Sequence, residues 1–280
     1  MLSRSTRDAR ARFEEIISLE DHEIDLAEAV LLIAAEEYPH LDINAYIEKL
    51  DRFGDLAGER AASAHEIRNV VAALNSTLFG TLGFHGARDS YYDPRNSFLN
   101  QVIDRRTGLP ITLSVIYIEV ARRVNLAVFG VGLPYQFIVQ VPTETEEIFI
   151  DPFNEGRLLT ADDCAQLVRE MSHGSEELLP EHLEVVDRKR LLGRVLLNLL
   201  GLYKASDPRR ALAALDRLLL IAPNHAPYLR MRGLLLARVG DSTGAIAQLE
   251  RYLEASPEAG DAEEIREQIK TVRLNQVRLN

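Results

Sequence analysis

The chain has one cysteine, Cys164, and no tryptophan. A single thiol can form neither an internal disulfide nor a thiolate zinc site, so a reducing, cytoplasmic setting is expected. Long apolar stretches are also missing. The longest unbroken one, Ala29 to Ala35, is seven residues, against the roughly 20 needed to cross a bilayer. Arg4, Arg7, Arg10 and Arg12 open the chain, but Phe13-Glu14-Glu15 follows where a signal peptide would place its apolar segment. An excess of positive charge is lacking too. The net charge is −11, which disfavours non-specific binding to nucleic acid or an anionic membrane.

Hydrophobic residues make up 46% and charged residues 27% of the 280, an ordinary globular balance with room for about two domains. The charge is uneven. Residues 1–185 carry 16 basic and 32 acidic side chains, net −16; residues 186–280 carry 16 and 11, net +5.

Period divides the chain into sections. After a lead over 1–23, helical spacing runs from 24 to 83. Ile24, Ala27, Leu31, Ala34 and Ala35 form one apolar stripe stopped by Pro39. Asp42 is placed to cap a second helix through Asn44, Tyr46 and Leu50. A third is expected over 64–82, with Ser63 as cap, Glu66 three residues on and Gly83 closing it. From His85 to Gly108 no period holds. A short helix fits 97–105 and a longer one 111–124. Strand-like pieces follow at 127–132, 135–141 and 148–151, the second alternating as a half-buried strand would. Helix followed by consecutive strands reads as α+β, mostly α, with a small antiparallel sheet.

Residues 186–280 contain a repeat. Positions 210–223 align without gaps on 244–257, an offset of 34, with Ala211, Ala213, Leu215, Arg217, Leu219 and Pro223 identical in both copies. A 34-residue helical repeat ending in proline is the tetratricopeptide pattern. Gly233, Ala211 and Ala245 take its small-residue positions, Asp207 and Asp241 fall at turns, and a helix over 258–273 would cap the stack. Two repeats are few for a free-standing solenoid, so the basic section is expected to dock on its acidic neighbour. Arg230, Arg232 and Arg238 offer another use, a groove for an acidic peptide. Arg232 and Arg238, however, point about 120° apart at about 100° per residue.

The middle of the chain resembles a known family. Asp93-Pro-Arg-Asn-Ser97, Leu99-Asn100, Arg105-Arg-Thr-Gly-Leu-Pro-Ile111, Gly130-Val-Gly-Leu-Pro134 and Asp151-Pro-Phe-Asn154 are similar to the bacterial transglutaminase-like family with a C-terminal tetratricopeptide region. The likeness covers about residues 24–275. It implies a papain-like core over 24–180, in which a nucleophile starts a helix and His and Asp follow on adjacent strands, ahead of the repeats at 186–280. That chemistry needs a thiolate at a helix N-terminus, an imidazole base and a carboxylate to orient it. Placed on this sequence, the three positions read Pro110, Gln136 and Asp151. Proline has no nucleophile and no backbone donor, and an amide is no base near neutral pH. The Cys–His–Asp mechanism is unavailable there.

Thr112 and Ser114 lie just inside the same helix, but first-turn hydroxyls usually satisfy backbone groups. Cys164 comes in the wrong chain order and reads as a small buried side chain. His85 could fold over a cleft or simply make a turn. Arg88, Asp89, Asp93, Arg95, Arg105 and Arg106 alternate in sign, as in a salt-bridged loop or a polar cleft. Asp162 and Asp163 suit a first helical turn. Candidate cleft residues are Tyr92, Asp93, Arg95, Asn96, Thr112, Tyr135 and Asn154. No cofactor and no metal site is implied. The expectation is a non-catalytic interaction module with a protein or peptide partner; the alternative is an acyl-transfer enzyme using unconventional groups.

Overall fold

The computed structural model describes residues 4–143 and 147–279. By its internal contacts the chain divides into two compact units, Met1–Val195 and Leu196–Asn280.

The first unit begins with α1 (Arg4–Ile17), where the sequence suggested only a lead. Phe13, Ile16 and Ile17 are buried, and α1 packs on α2 (Leu26–Glu37). Asp25 caps α2 by accepting the Glu28 backbone N–H at 2.9 Å. The expected single stripe is too narrow a description of this helix. Ala29, Val30, Leu32 and Ile33 are as buried as Leu31 and Ala34, so α2 is covered on every side. Next, α3 (Ile43–Ala61) starts at Asp42 as expected, the carboxylate accepting from Ala45 N–H at 3.1 Å.

The third helix departs from expectation. Neither Ser63 nor a Glu66 side chain caps it; α4 covers Ile67–Asn75 and continues as a π-helical segment over Ser76–Thr81. Asn75, the last residue of α4, donates its Nδ2 to Gly156 O at 2.7 Å and accepts from Tyr117 Oη at its Oδ1, at 3.0 Å. Gly83 then ends the segment with φ of +71°.

The aperiodic stretch is ordered by short pieces: β1 (His85–Gly86), a 3-10 turn at Pro94–Ser97, α5 (Leu99–Arg105) and β2 (Thr107–Gly108), which pairs parallel with β1. Helix α6 (Pro110–Arg123) follows, with proline at its first turn, where a missing N–H costs nothing.

After α6 come β3 (Phe129–Val131), β4 (Ile138–Pro142), β5 (Glu147–Asp151), β6 (Arg157–Leu159), α7 (Ala161–Met171) and β7 (Val185–Val186). The strands form one antiparallel sheet in the order β6-β5-β4-β3-β7, with Val139 opposite Ile150 and Gly130 opposite Val139. Strand β4 is not half-buried. Ile138 joins Phe149, Cys164 and Val168 beneath α7, while Val139 and Val141 are sealed on the side of α6. A sheet clad on both faces shows no clean polar alternation. The edge strands β6 and β7 are too short to leave a period in the sequence.

Helix α8 (Arg188–Tyr203) carries the division between the units, and the second continues as α9 (Pro208–Ile221), α10 (Ala226–Arg238), α11 (Ser242–Ala255) and α12 (Ala262–Leu279). The bounds of α9 and α11 repeat at the 34-residue offset. Asp207 and Asp241 cap them, accepting from Arg209, Arg210 and Gly244 N–H groups. A β-carbon on Gly233 would stand 2.6 Å from Leu249 Cγ, so this glycine is where α10 and α11 touch. Helix α12 starts four residues after the expected position because residues up to Asp261 form a turn; the Asp261 carboxylate is held by Tyr252 Oη and Arg230.

Candidate functional site

Pro110 opens α6, Gln136 lies two residues before β4, and Asp151 ends β5. Asp151 is 1% exposed. Its Oδ1 accepts the backbone N–H groups of Phe153 at 3.0 Å and Asn154 at 3.2 Å. Its Oδ2 accepts Asn154 Nδ2 at 2.5 Å and Gln136 Nε2 at 3.4 Å. Gln136, itself buried, returns its Oε1 to the backbone N–H of Phe137 at 3.2 Å. The structure thus puts Gln136 and Asp151 in contact. The preceding residue, Tyr135, has φ of +63° and reaches outward to donate to Glu176 at 2.7 Å.

Pro110 occupies the buried first turn of α6. Around it the polar groups are already matched. The Leu109 N–H donates to Thr112 Oγ1 at 2.9 Å, and that hydroxyl donates to Asn96 O at 2.8 Å. Thr112 is fully buried and spends its hydroxyl on backbone. Ser114 Oγ, also buried, lies 3.5 Å from Phe137 O. Neither hydroxyl has a histidine partner.

Cys164 is sealed beneath the sheet, and burial pushes its thiol up to about 12, with Asp163 and Asp151 adding to the effect. A thiol held protonated in this way is no nucleophile at neutral pH. Asp163 forms a capping box with Thr160, whose backbone and side-chain donors hold its carboxyl below the usual range, and it pairs with Arg157 at 3.1 Å.

The charged loop is a network. Arg95 clamps Asp93 through Nε at 3.0 Å and Nη2 at 2.6 Å, holding the Asp93 carboxyl low. Arg105 donates to Asn96 Oδ1 at 3.0 Å, and Asn96 Nδ2 donates to Ser90 O at 2.6 Å. Arg106, at φ of +59°, lies over the rings of Phe53 and Phe84 at 4.6 and 4.7 Å. Arg88 donates to Asn154 Oδ1, and Tyr91 meets the Phe153 ring edge-on. The loop is therefore tied to the Asp151–Asn154 turn.

The seven candidate cleft residues differ in exposure and partners. Asn154 stands beside Asp151 at a recess of about 50 Å³. Asn96 and Thr112 are buried, Asp93 and Arg95 are paired to each other, Tyr92 is 80% exposed and Tyr135 50%. None of them lines the adjoining cavity of about 300 Å³, whose walls include His85, Arg88, Asp89, Thr107 and Phe153. His85 Nε2 sits 3.2 Å from Thr107 Oγ1 there. Sequence reasoning missed Asn75 and Phe153 as fixtures of the turn; a lone Asn in a helical period carries no signal of what it will bridge. Among the described residues no group of three His, Cys, Asp or Glu side chains is placed to hold a metal ion.

In the repeats, Arg230 pairs with Asp261, Arg232 with Asp216 at 2.8 Å, and Arg238 donates to Lys204 O at 2.9 Å. These contacts all lie inside the second unit.

A helix opening at Pro110, an antiparallel sheet whose β5 ends in a buried aspartate, and helical pairs beyond it define a transglutaminase-like core followed by tetratricopeptide helices. The chain belongs to the transglutaminase-like superfamily, which it matches over residues 44–197, and residues 201–270 match the tetratricopeptide repeat. It is 36% identical to a UPF0162 protein of Xylella fastidiosa over 258 residues, 91% of this chain and 92% of that one. A UPF0162 protein of Vibrio cholerae is 27% identical over 192 residues, 68% and 71% of the two chains. Mouse F-box only protein 21 is 33% identical over 143 residues, 48% of this chain and 22% of that protein.

Proposed function

We propose that this protein is a non-catalytic interaction module, a transglutaminase-like core without its chemistry joined to repeats that engage a protein or peptide partner in the cytoplasm. The observation that carries the reading is the pair at the heart of the site: the Asp151 carboxylate meets the Gln136 amide, and Pro110 opens the helix. An amide can orient a neighbour but cannot take a proton from a nucleophile. Buried Thr112 and Ser114 do not replace the missing groups, since their hydroxyls serve backbone carbonyls. Tetratricopeptide repeats offer extended surfaces for protein ligands, and the net charge of −11 disfavours nucleic acid and anionic lipid.

The test uses the full chain as bait in a native lysate, read by quantitative mass spectrometry, beside broad thioester-hydrolysis and amide-transfer assays. A protein partner held in a fixed ratio to the bait, with turnover no higher than that of Cys164→Ser, is expected. Robust turnover lost in Cys164→Ser would overturn the reading.

A further inference from the structure

The first unit holds a second, larger concavity that shares no residue with the Asp151 turn or the 85–90 loop. It measures about 550 Å³ and lies among α6, β3, β7 and the start of α8. Leu26, Ile118, Leu126, Val128, Val186 and Leu191 form the apolar part of its wall, and charged side chains line the rest. The volume falls in the roughly 300–1,000 Å³ range of small-molecule sites.

One polar side chain in this wall is incompletely used. Glu119, on α6, is 2% exposed. Its Oε2 takes every hydrogen bond the side chain receives: Arg123 Nη1 at 2.7 Å, and Arg122 Nη2 at 3.0 Å and Nε at 3.4 Å. Its Oε1 receives none, yet it is not among the sealed, partnerless atoms of the core. A carboxylate has about four acceptor positions, so Oε1 retains acceptor capacity for a further donor. The charges around it balance. Asp21, Glu119 and Asp187 face Arg122, Arg188 and Arg190, and Arg188 is fixed by donating to the carbonyls of Asp21, His22 and Ile24. A ligand with net charge would find no surplus of the opposite sign.

We propose that this cavity binds a small neutral molecule with an apolar body and an N–H or O–H donor, the donor completing Glu119 at Oε1. The apolar part of the wall supplies the contact area, and the carboxylate selects for the donor.

Ligand-observed NMR titration of the full chain tests this with 4-phenylbutanamide and 5-phenylpentan-2-one. The two share the ring, the linker and the carbonyl, but only the amide has N–H donors. The amide should bind at least tenfold more tightly than the ketone, and more tightly than the 4-phenylbutyrate anion. Leu126→Trp, which fills the cavity from its wall, should remove amide binding. Equal binding of amide and ketone, amide binding that survives Leu126→Trp, or no binding of the amide to the unaltered chain would each overturn the proposal. The amide–ketone comparison needs no variant and stands even if Leu126→Trp folds poorly.

Discussion

Replacing Gly233 by alanine should destabilise the repeats, although alanine is the better helix former. In an open helix the exchange gains about 0.5–1 kcal/mol. At Gly233 the new carbon would stand 2.6 Å from Leu249 Cγ, 2.7 Å from Cδ2 and 3.2 Å from the Leu249 backbone nitrogen. Leu249 is fully buried among Leu229, Tyr252, Ile265 and Ile269, so it has little room to yield. Overpacking of this kind costs about 1–3 kcal/mol, which exceeds the helical gain by up to about 2.5 kcal/mol. Gly201 is the control, since a β-carbon there meets nothing within 4 Å. Gly201→Ala should therefore stabilise by about 0.5–1 kcal/mol. Urea unfolding of the full chain followed by far-UV circular dichroism reads both, as midpoint shift times slope. The gap between the two variants isolates the close approach of α10 and α11. Equal shifts for both would refute the packing argument.

Three further outcomes follow from the first unit. The Cys164 thiol, raised from about 9 to about 12 by burial, should label with iodoacetamide far more slowly in the native chain than in urea. Because the unfolded thiol ionises first, the stability from its burial is complete below about pH 9 and is lost between about 9 and 12. Cys164→Ala should flatten that part of the stability profile, and an unchanged slope would show the thiol ionises freely in the fold. Gly86→Ala should cost about 1–3 kcal/mol, since its β-carbon would press on Phe153 O at 2.6 Å; a neutral urea midpoint would show that β1 is not seated on the turn. Phe13→Ala should cost about 3–5 kcal/mol because its ring is fully buried, and a surface-like loss below about 0.5 kcal/mol would remove α1 from the core.

The parts of this fold legible in the sequence are those with a period or a fixed spacing. The 34-residue offset placed α9 and α11, and the capping residues Asp42, Asp207 and Asp241 stand where local hydrogen bonding requires them. The α+β class followed from a helix leading into strands. What stayed hidden depends on partners distant in the chain. The stripe on α2 did not reveal that its other sides would also be covered, and the alternation of β4 was read as half-buried when α6 and α7 clad both faces. Ser63 looked like a cap, but the helix begins at Ile67 and passes into a π-helical segment, a shift that no local propensity announces. At the site, the motifs led to Pro110, Gln136 and Asp151, and the Gln136–Asp151 contact needed the register of two strands to appear. The arginines of the repeats show another limit: their charge is visible in the sequence, but their individual partners, Asp261, Asp216 and the Lys204 carbonyl, are not.

The central claim is that the Asp151 site performs no acyl transfer, and the most direct measurement is the intact mass of the full chain after exposure to an activated acyl thioester. The account predicts an unchanged mass and thioester loss at the rate of buffer alone. A stoichiometric acyl adduct on any side chain, or hydrolysis that disappears in Asp151→Asn, would contradict it.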